Sequence, residues 1–357
     1  MSKRVMILAG GTGGHIYPAL AVAEVLRAEG VGLRWLGSAG GMETRIVPRA
    51  GIEIVEIMVS GLRGRGALGW VMAPFMLSLA TCQAILAILR FRPGVVLGMG
   101  GFVSGPGGLA AWLCRRPLVV HEQNAIPGLT NRLLSRIATK VLAAYPRSFA
   151  ESASAETTGN PVRSAIAAMA ATDRPARTAP PLRLLVVGGS RGARRLNDTL
   201  PAALAALPSG AIEVWHQTGE SALAATRAAY AQRGLTARVD AFIDDMPAAY
   251  QWADAAVCRS GAMTVAELAA VGLPALLVPF PHAVDDHQTA NGQFMVEAGA
   301  ALMLQDAALS PQSLAKVLMT WLEDRAGLLD VGRRARALAR PDAAASVAQH
   351  CLELLHA

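Results

Sequence analysis

The chain has 357 residues, of which 53% are hydrophobic and 17% are charged. This composition excludes a disordered or fibrous chain, and because one core rarely grows past about 250–300 residues, the length predicts two domains. An excess of 33 Lys and Arg over 26 Asp and Glu gives a formal charge of +7. That charge favours anionic partners such as phosphates or an acidic membrane surface. Nucleic acid is not expected, since aromatic residues make up 5% and no basic tract carries interleaved aromatics.

The four cysteines, Cys82, Cys114, Cys258 and Cys351, are far apart and form no CxxC pair. Their spacing argues against a disulfide framework or a zinc site and fits a reducing compartment. The apolar run after the N-terminal Met-Ser-Lys-Arg is too short for a signal peptide. We therefore expect an intracellular protein.

Strand and helix signals alternate through the first half of the chain. The apolar run Val5–Ala9 predicts a buried parallel strand, and a glycine loop then leads into a helix with Pro18 in its first turn and its end near Gly30. Further strands are predicted at 33–36, 54–57, 95–97, 118–120 and 141–143, with helices between them. Such alternation implies right-handed crossovers and a doubly wound parallel sheet.

The segment Gly66–Leu89 contains no charged residue. Its length would allow a membrane-spanning helix, but its Gly, Pro and polar residues and the continuous domain pattern around it argue against one. We expect a helix that docks on an anionic membrane surface, with a buried core helix as the alternative. Its apolar face would consist of Trp70, Val71, Phe75, Met76 and Leu79, and its flanking arginines, Arg63, Arg65, Arg90 and Arg92, would meet lipid phosphates.

The alternation stops at residues 164–181, which are rich in Ala, Thr and Pro and are predicted to be a linker. From Leu182 the order of apolar strand, glycine turn and helix begins again. We predict a Rossmann-like N-terminal domain at 1–163, a second Rossmann-like domain at 182–340, and a C-terminal helix at 341–357 that packs back on the first domain. Two such domains would face each other across a cleft, where ligands of such folds bind.

Three glycine clusters, at 10–14, 98–108 and 188–192, directly follow predicted strands. Each could be an ordinary tight turn, but three of them in a basic chain favour a phosphate-bearing ligand, because glycine lets backbone N–H groups approach an anion. Ile16 stands where a dinucleotide fingerprint needs its third glycine, which disfavours an NAD enzyme. No Gly-Lys-Ser/Thr follows any glycine run, which excludes a P-loop.

The strongest pattern of the second half is a strand at Ala255–Cys258, a turn, and a helix at Ala262–Val271. A diphosphate at the start of this helix would meet free N–H groups, the helix dipole and the guanidinium of Arg259. Glu267 could bind both hydroxyls of a ribose. The alternatives are a surface ion pair for Arg259 and a capping box formed by Thr264 and Glu267.

Eight strings of residues occur in unbroken order between Val5 and Gly299: ILAGGTGGHIYPALAVA, GMGGFVSGPGG, HEQNAIPGLTNRLL, GNPVR, GGSRGARRLN, FIDDM, CRSGAMTVAE and DDHQTANG. Together they resemble the bacterial GT-B glycosyltransferases of family 28. The resemblance implies an inverting transfer of N-acetylglucosamine (GlcNAc) from UDP-GlcNAc to the muramoyl 4-hydroxyl of the undecaprenyl-diphosphate precursor lipid I. The product would be lipid II, made for the cell wall.

The resemblance also implies a setting and a list of site residues. The setting is the cytoplasmic face of the inner membrane, with UDP-GlcNAc, lipid I, an anionic membrane surface and cell-wall synthesis proteins as partners, no cofactor, and a role in cell shape and division. Gly100 and Gly101 are expected at the acceptor, near the membrane-facing Arg63, Arg65, Trp70 and Phe75. The residues expected to bind UDP-GlcNAc are Thr12, Gly13, Gly14, Asn124, Arg163, Ser190, Ile243, Arg259, Ala262, Met263, Thr264, Val265, Ala266, Glu267 and Gln288.

Inversion at the anomeric carbon needs a base for the acceptor hydroxyl and stabilisation of the departing UDP. Arg259 and the helix at Ala262 would stabilise UDP without a metal, since no acidic cluster has the pattern of a cation site. His15 and Glu122 are the two candidates for the base, with His15 placed first. His15 could instead orient phosphate, and Glu122 could instead fix Asn124. The alternative functions are a nucleotide-sugar 2-epimerase of the same two-domain plan and a non-catalytic, membrane-docked nucleotide-sugar binder.

Overall fold

The computed structural model of the chain describes residues 3–59, 67–172, 177–189 and 193–356; within these ranges the side chains of residues 67–71, 152 and 284 are not described. The chain divides into two compact units, Met1–Ser164 with Arg340–Ala357, and Ala165–Ala339. Each unit contains one sheet in which every paired strand runs parallel. The predicted α/β class with two parallel-sheet domains is therefore confirmed.

The first unit has a seven-stranded sheet in the order β3-β2-β1-β4-β5-β6-β7. Its strands are β1 (Arg4–Leu8), β2 (Gly32–Ser38), β3 (Ile54–Ile57), β4 (Val95–Gly98), β5 (Leu118–Glu122), β6 (Lys140–Ala143) and β7 (Glu156–Thr157). Its helices are α1 (Gly13–Ala28), α2 (Glu43–Ile46), α3 (Ala67–Phe91), α4 (Ser104–Leu113), α5 (Leu129–Leu134) and α14 (Ala343–His356). The strand order reverses between β1 and β4, so the loops after these strands lie at a topological switch point, where doubly wound sheets bind ligands.

Helices cover both faces of this sheet. On one face α1 packs with α14, which contributes Val347, Ala348, Cys351 and Leu355 to the core. On the other face α3, α4 and α5 form a second core. The central strand β1 is buried on both faces, as its continuous apolar run predicts.

Helix α3 combines a buried half with an exposed half. Ala80, Ala84, Ile88 and other residues of its C-terminal half are buried in the sheet core. Most of residues 72–79 are exposed, and the exposed fraction of Phe75 is 65%. Among the described residues, Met72–Phe91 is the stretch long and apolar enough to cross a membrane, and 28% of it is buried. The C-terminal half thus behaves as the core helix of the alternative interpretation.

The second unit has a six-stranded sheet in the order β10-β9-β8-β11-β12-β13. Its strands are β8 (Leu182–Val187), β9 (Ile212–Gln217), β10 (Arg238–Asp240), β11 (Ala255–Cys258), β12 (Ala275–Leu277) and β13 (Leu302–Met303). Its main helices are α7 (Arg194–Ala205), α8 (Leu223–Ala231), α9 (Met246–Trp252), α10 (Ala262–Val271), α11 (His287–Glu297), α12 (Pro311–Glu323) and α13 (Arg325–Ala337). Here the strand order reverses between β8 and β11.

One local expectation needs correction, and the predicted linker gains detail. The first helix begins at Gly13, five residues before Pro18, so this proline lies inside the helix and not in its first turn. A proline so near the start removes one early N–H, which a helix tolerates better there than in its middle. The predicted linker also contains helical turns at Ser164–Ala167 (α6) and Ala168–Ala171. Arg336 of α13 donates to the carbonyl of Ala170 at 3.2 Å, so this segment is attached to the second unit.

Candidate active site

Two of the predicted glycine loops pack directly on each other in the first unit. Gly101 has a φ of +84°, and a Cβ there would overlap the carbonyl oxygen of Gly10. Gly100 has a φ of +99°, and a Cβ there would lie 2.6 Å from Nδ1 of His15. Both positions therefore require glycine, because a side chain would push the second loop away from the first. The predicted contact of this pair with the acceptor is not tested by these distances.

Helix α1 begins inside the first glycine loop. Thr12 is its N-cap, Gly13 and Gly14 are its first two residues, and His15 is the third. The first N–H groups of an α-helix have no acceptor within the helix and lie at the positive end of its dipole. The predicted phosphate-binding residues Thr12, Gly13 and Gly14 thus lie at a helix N-terminus, where an anion is stabilised.

A buried carboxylate that the sequence analysis missed supports this loop. Glu43 is fully buried, and its Oε2 accepts the N–H of Gly11 at 3.1 Å. Its Oε1 accepts the N–H of Ser38 at 2.8 Å and the hydroxyl of Ser38 at 2.5 Å. A Cβ would collide with the Glu43 side chain at each of the positions that enclose it, Gly10, Gly37 and Gly41. Glu43 thus holds the first glycine loop in place through hydrogen bonds. Its role is visible only in the folded chain, because Glu43 and Gly11 are 32 residues apart in the sequence.

The imidazole of His15 is half-buried and belongs to a chain of hydrogen bonds. Its Nδ1 lies 3.0 Å from Oε1 of Gln123, whose Nε2 lies 3.0 Å from Nδ1 of His121. Nε2 of His121 lies 2.9 Å from the carbonyl oxygen of Gly159. Burial lowers the pKa of His121 to about 4, against smaller opposing effects of the Gly159 hydrogen bond and of the charge of Glu122. Gln123 and His121 were not selected from the sequence, although both flank Glu122 in the HEQN string.

Glu122 is buried, and both of its carboxylate oxygens are occupied. Oε1 accepts the backbone N–H of Asn124 at 2.9 Å and its side-chain amide at 3.1 Å. Oε2 accepts the N–H of Gly128 at 3.1 Å and the side-chain amide of Asn131 at 2.9 Å. Because a carboxylate has about four lone-pair sites, four N–H donors leave it little capacity to take a proton from a substrate. This geometry favours the alternative role, in which Glu122 fixes Asn124 and the following loop; the catalytic role of His15 stays a prediction.

Arg163 also lies beside α1. Its guanidinium carbon is 5.6 Å from the centre of the Tyr17 ring, a cation–π distance. The first unit therefore brings Thr12, Gly13, Gly14, His15 and Arg163 to the start of one helix.

In the second unit, one side chain links the third glycine loop to the segment around Ile243. Gln217 at the end of β9 accepts the N–H of Gly189 through Oε1 at 3.1 Å. Its Nε2 donates to the carbonyl of Ala241 at 2.9 Å, two residues before Ile243. Gln217 was not predicted, and Ser190 lies outside the described residues.

Arg259 forms an ion pair, but a buried one instead of the surface pair weighed from the sequence. Its Nη1 lies 2.6 Å from Oδ1 of Asp306, and the two side chains are 12% and 11% exposed. The same nitrogen donates to the carbonyls of Val278 and Pro279 at 3.1 and 3.0 Å. Arg259 thus anchors the segment after β12 beside the start of α10. Its contact with a diphosphate stays a prediction, as does catalysis without a metal.

Helix α10 begins at Ala262 with Gly261 as its N-cap. Thr264 is therefore already inside the first turn, and the capping box weighed as the alternative for Thr264 and Glu267 is not formed. The carboxylate of Glu267 instead accepts a hydrogen bond of 2.8 Å from the hydroxyl of Tyr250, a buried residue of α9 that the sequence analysis missed.

The other predicted residues near this helix differ in exposure. Ala262 and Val265 are buried, whereas Met263, Thr264 and Ala266 are half-buried. This stretch can therefore bind a diphosphate mainly through its backbone N–H groups. In α11, Gln288 accepts the N–H of Phe280 through Oε1 at 2.9 Å, so its Nε2 is the group that can donate to a sugar hydroxyl.

Part of the predicted membrane-facing set cannot be placed. Arg63 and Arg65 lie outside the described residues, and nothing is described of the side chain of Trp70. Phe75 of the same set is exposed on α3.

Comparison with known proteins covers most of the chain. Residues 5–143 match the glycosyltransferase family 28 N-terminal domain, and residues 183–347 match the glycosyltransferase family 28 C-terminal domain. The chain is 55% identical, over 99% of both sequences, to the UDP-N-acetylglucosamine–N-acetylmuramyl-(pentapeptide) pyrophosphoryl-undecaprenol N-acetylglucosamine transferase of Alkalilimnicola ehrlichii. It is also similar to a crystal structure of Acinetobacter baumannii MurG, with a TM-score of 0.84 and 40% identity over 98% of this chain and 99% of the other.

The epimerase alternative has a structural counterpart at much lower identity. A putative UDP-N-acetylglucosamine 2-epimerase from Listeria monocytogenes has a TM-score of 0.70 to this chain, with 15% identity over 99% of this chain and 98% of the other. At that identity the similarity shows a shared fold and does not extend to activity.

Proposed function

We infer that this chain, which belongs to glycosyltransferase family 28, is an N-acetylglucosamine transferase that moves GlcNAc from UDP-GlcNAc to the muramoyl 4-hydroxyl of lipid I and so makes lipid II. The observation that carries this conclusion is the near full-length identity to the Alkalilimnicola ehrlichii transferase. The epimerase remains the alternative of the same fold, without comparable identity.

The geometry of the second unit supports a nucleotide-sugar donor. The start of α10 provides N–H groups and a positive dipole end for the diphosphate. Glu267, fixed by Tyr250, provides carboxylate oxygens for ribose hydroxyls. As UDP departs, the growing negative charge on its diphosphate is the charge that this helix end stabilises.

The geometry of the first unit supports a base for the acceptor hydroxyl. In an inverting reaction the muramoyl oxygen attacks the anomeric carbon while UDP leaves from the opposite face. His15 takes the hydroxyl proton, because histidine is the side chain that most often serves as a general base. Glu122, with four N–H donors on its carboxylate, holds Asn124 and the adjacent loop in place.

The direct test is transfer of radiolabelled GlcNAc from UDP-GlcNAc to lipid I by the purified chain. We expect label in the lipid fraction and release of UDP, and a fall in kcat of about 10²–10⁴-fold for His15→Ala. Incubation with UDP-GlcNAc alone tests the epimerase, because an epimer product would refute the transferase assignment. Tight UDP binding with no label in any lipid fraction would instead identify a non-catalytic binder.

We also propose that the protein docks on the cytoplasmic face of the inner membrane through the outer faces of α3, α4 and α5. These helices share one core, so their outer faces lie on the same side of the sheet. These helices expose large apolar side chains, namely Met72, Phe75, Leu77, Leu79, Leu86 and Leu89 of α3, Trp112 and Leu113 of α4, and Leu129 and Leu133 of α5. We call these residues the apolar surface. Apolar side chains that are exposed together on neighbouring helices are typical of an interaction site.

The charge around the apolar surface supports an anionic membrane as its partner. Between Glu56 and Glu151 the only acidic residue is the buried Glu122. The basic residues of the same stretch are Arg63, Arg65, Arg90, Arg92, Arg115, Arg116, Arg132, Arg136, Lys140 and Arg147. Apolar side chains bordered by arginine are the combination that binds anionic bilayers at the interface. A lipid-linked acceptor also requires its enzyme to work at a membrane.

Vesicle co-sedimentation tests the docking proposal. We expect the wild type to bind vesicles that contain anionic phospholipid, less strongly at high salt, and Phe75→Ser/Trp112→Ser to lower the affinity by about tenfold or more. Phe242→Ser/Leu302→Ser removes exposed apolar side chains from the second unit and should bind like the wild type. Equal binding by both double variants would refute the apolar surface as the docking site.

We further propose that the enzyme serves cell-wall growth, and through it cell shape and division, together with other cell-wall synthesis proteins. This proposal is supported by the nature of the product, because a lipid-linked cell-wall precursor must be consumed by a later polymerising reaction. Depletion of the protein in cells should cause lipid I to accumulate and growing cells to lose their shape; normal lipid II levels on depletion would refute it.

A further inference from the structure

The chain of hydrogen bonds from Gly159 to His15 has one consistent arrangement of its protons. It is anchored at the carbonyl oxygen of Gly159, which can only accept, so Nε2 of His121 must donate to it. His121 is fully buried and its pKa is lowered to about 4, so the ring is neutral near pH 7 and carries one proton. Because that proton is on Nε2, Nδ1 of His121 carries a lone pair.

The lone pair on His121 fixes the orientation of the Gln123 amide. Nε2 of Gln123 lies 3.0 Å from Nδ1 of His121 and 3.3 Å from the carbonyl oxygen of the same residue. Both partners are acceptors, so the amide nitrogen must be on this side. The reversed amide would place its oxygen against two acceptors, which is repulsive. Oε1 of Gln123 therefore faces His15.

The amide oxygen then determines the tautomer of His15. Nδ1 of His15 lies 3.0 Å from Oε1 of Gln123 and must donate to it. A neutral imidazole has one N–H, so Nε2 of His15 carries the lone pair. The second nitrogen of a histidine is commonly assigned its role in this way, by the hydrogen bond that the first one makes.

We propose that Gln123 and His121 are positioning residues that hold His15 with its proton on Nδ1, and that Nε2 of His15 is the atom that takes the proton of the acceptor hydroxyl. As that proton moves to Nε2, the O–H electron pair forms the bond to the anomeric carbon. The bond from that carbon to UDP breaks, and UDP leaves with its electron pair. The imidazolium that forms keeps its Nδ1–H bonded to Gln123. The role of Nε2 as base rests on the proposed function, whereas the tautomer does not.

Nuclear magnetic resonance of the full-length chain, labelled with ¹⁵N-histidine, tests the tautomer directly. Long-range ¹H–¹⁵N correlation near pH 8 distinguishes protonated from unprotonated ring nitrogens, and His15→Gln identifies the signals of residue 15. We expect protonated Nδ1 and unprotonated Nε2 at His15, and the reverse at His121. A His15 protonated on Nε2, or an equal mixture of tautomers, would overturn the proposal whether or not the chain transfers GlcNAc.

Gln123→Met tests the positioning role, because it keeps the length of the side chain and removes its hydrogen bonds to His15 and His121. We expect His15 to lose its single tautomer and kcat to fall by about 10–100-fold, with the KM for UDP-GlcNAc unchanged. Asn160→Ala is the matched control, since it removes a hydrogen bond of 3.0 Å to the backbone carbonyl of Gln123 and should leave the tautomer intact. An unchanged His15 spectrum in folded Gln123→Met would refute the role of Gln123. Where that variant does not fold, the wild-type spectrum decides.

Discussion

The hydroxyl of Tyr250 donates a hydrogen bond of 2.8 Å to Oε2 of Glu267 and so connects helix α9 to helix α10. Tyr250 is 2% exposed, so its ring is held rigidly by the core while its hydroxyl reaches a half-buried carboxylate. The carboxylate assigned to the ribose is therefore oriented before the donor binds, which lowers the entropic cost of binding.

Tyr250→Phe should weaken donor binding without slowing the chemical step. It removes one hydrogen bond to Glu267 and keeps the ring, so we expect the KM for UDP-GlcNAc to rise about three- to tenfold with kcat nearly unchanged. Steady-state kinetics at saturating acceptor measures both. Tyr230→Phe is the matched control, because it also removes a buried tyrosine hydroxyl, one that bonds His216 instead of Glu267. Equal KM values for the two variants would contradict the positioning of Glu267.

Glu43→Gln should destabilise the first unit and disturb its glycine loop. The amide nitrogen would face an N–H or O–H donor of Gly11 or Ser38, leaving a buried donor without an acceptor. We expect a loss of about 1–3 kcal/mol in the free energy of unfolding, measured by urea denaturation. Glu53→Gln alters a carboxylate that is 66% exposed, and it should change stability by less than about 0.5 kcal/mol. A similar small effect at Glu43 would show that the loop does not depend on it.

Gly101→Ala should separate the two glycine loops. Its Cβ would overlap the carbonyl of Gly10, so we expect kcat to fall by about 10²-fold through displacement of the loop from His15. Gly40→Ala has a comparable φ of +69° but no atom within 4 Å of the added Cβ. It should cost only the backbone strain of about 1–2 kcal/mol and leave kcat near the wild-type value. Activity that is equally reduced in both variants would contradict the packing argument.

Buried histidines should make the protein sensitive to mild acid. Burial lowers the pKa of His216 to about 3, so between the ordinary histidine pKa of 6.5 and about 3 only the unfolded chain takes up its proton. Stability is unaffected above pH 6.5 and falls below it by about 1.4 kcal/mol per pH unit for this one group. Urea denaturation of the wild type and His216→Gln between pH 7 and pH 5 measures the difference in slope. Parallel stability curves for the two proteins would rule out this contribution.

Local patterns were enough to predict the two glycine loops of the first unit and the start of α10. An apolar run followed by glycines is encoded within about a dozen residues, and so is the strand, turn and helix that ends at Val271. The start of α1 was misplaced because proline is common in the first turn of a helix and is also tolerated one turn later.

The contacts that support the site could not be predicted, because the residues they join are distant in the sequence. Glu43 bonds a backbone group 32 residues away, Gln123 bonds a side chain 108 residues away, and Arg259 pairs with Asp306 across 47 residues. No local periodicity encodes such contacts. Glu122 was noticed through its position at a strand end, yet the four donors around it are visible only in the folded chain.

Helix α14 completes the first unit although it follows the whole second unit along the chain. During synthesis the sheet of the first unit therefore leaves the ribosome without the core residues of α14, namely Val347, Ala348, Cys351 and Leu355. All strands and helices of the second unit are synthesised before α14. The unit that carries two of the glycine loops and His15 is thus the last to gain its full core. A nascent chain interrupted before α14 would expose the apolar face of α1 that α14 covers, and it would be prone to aggregate however well its second unit had folded.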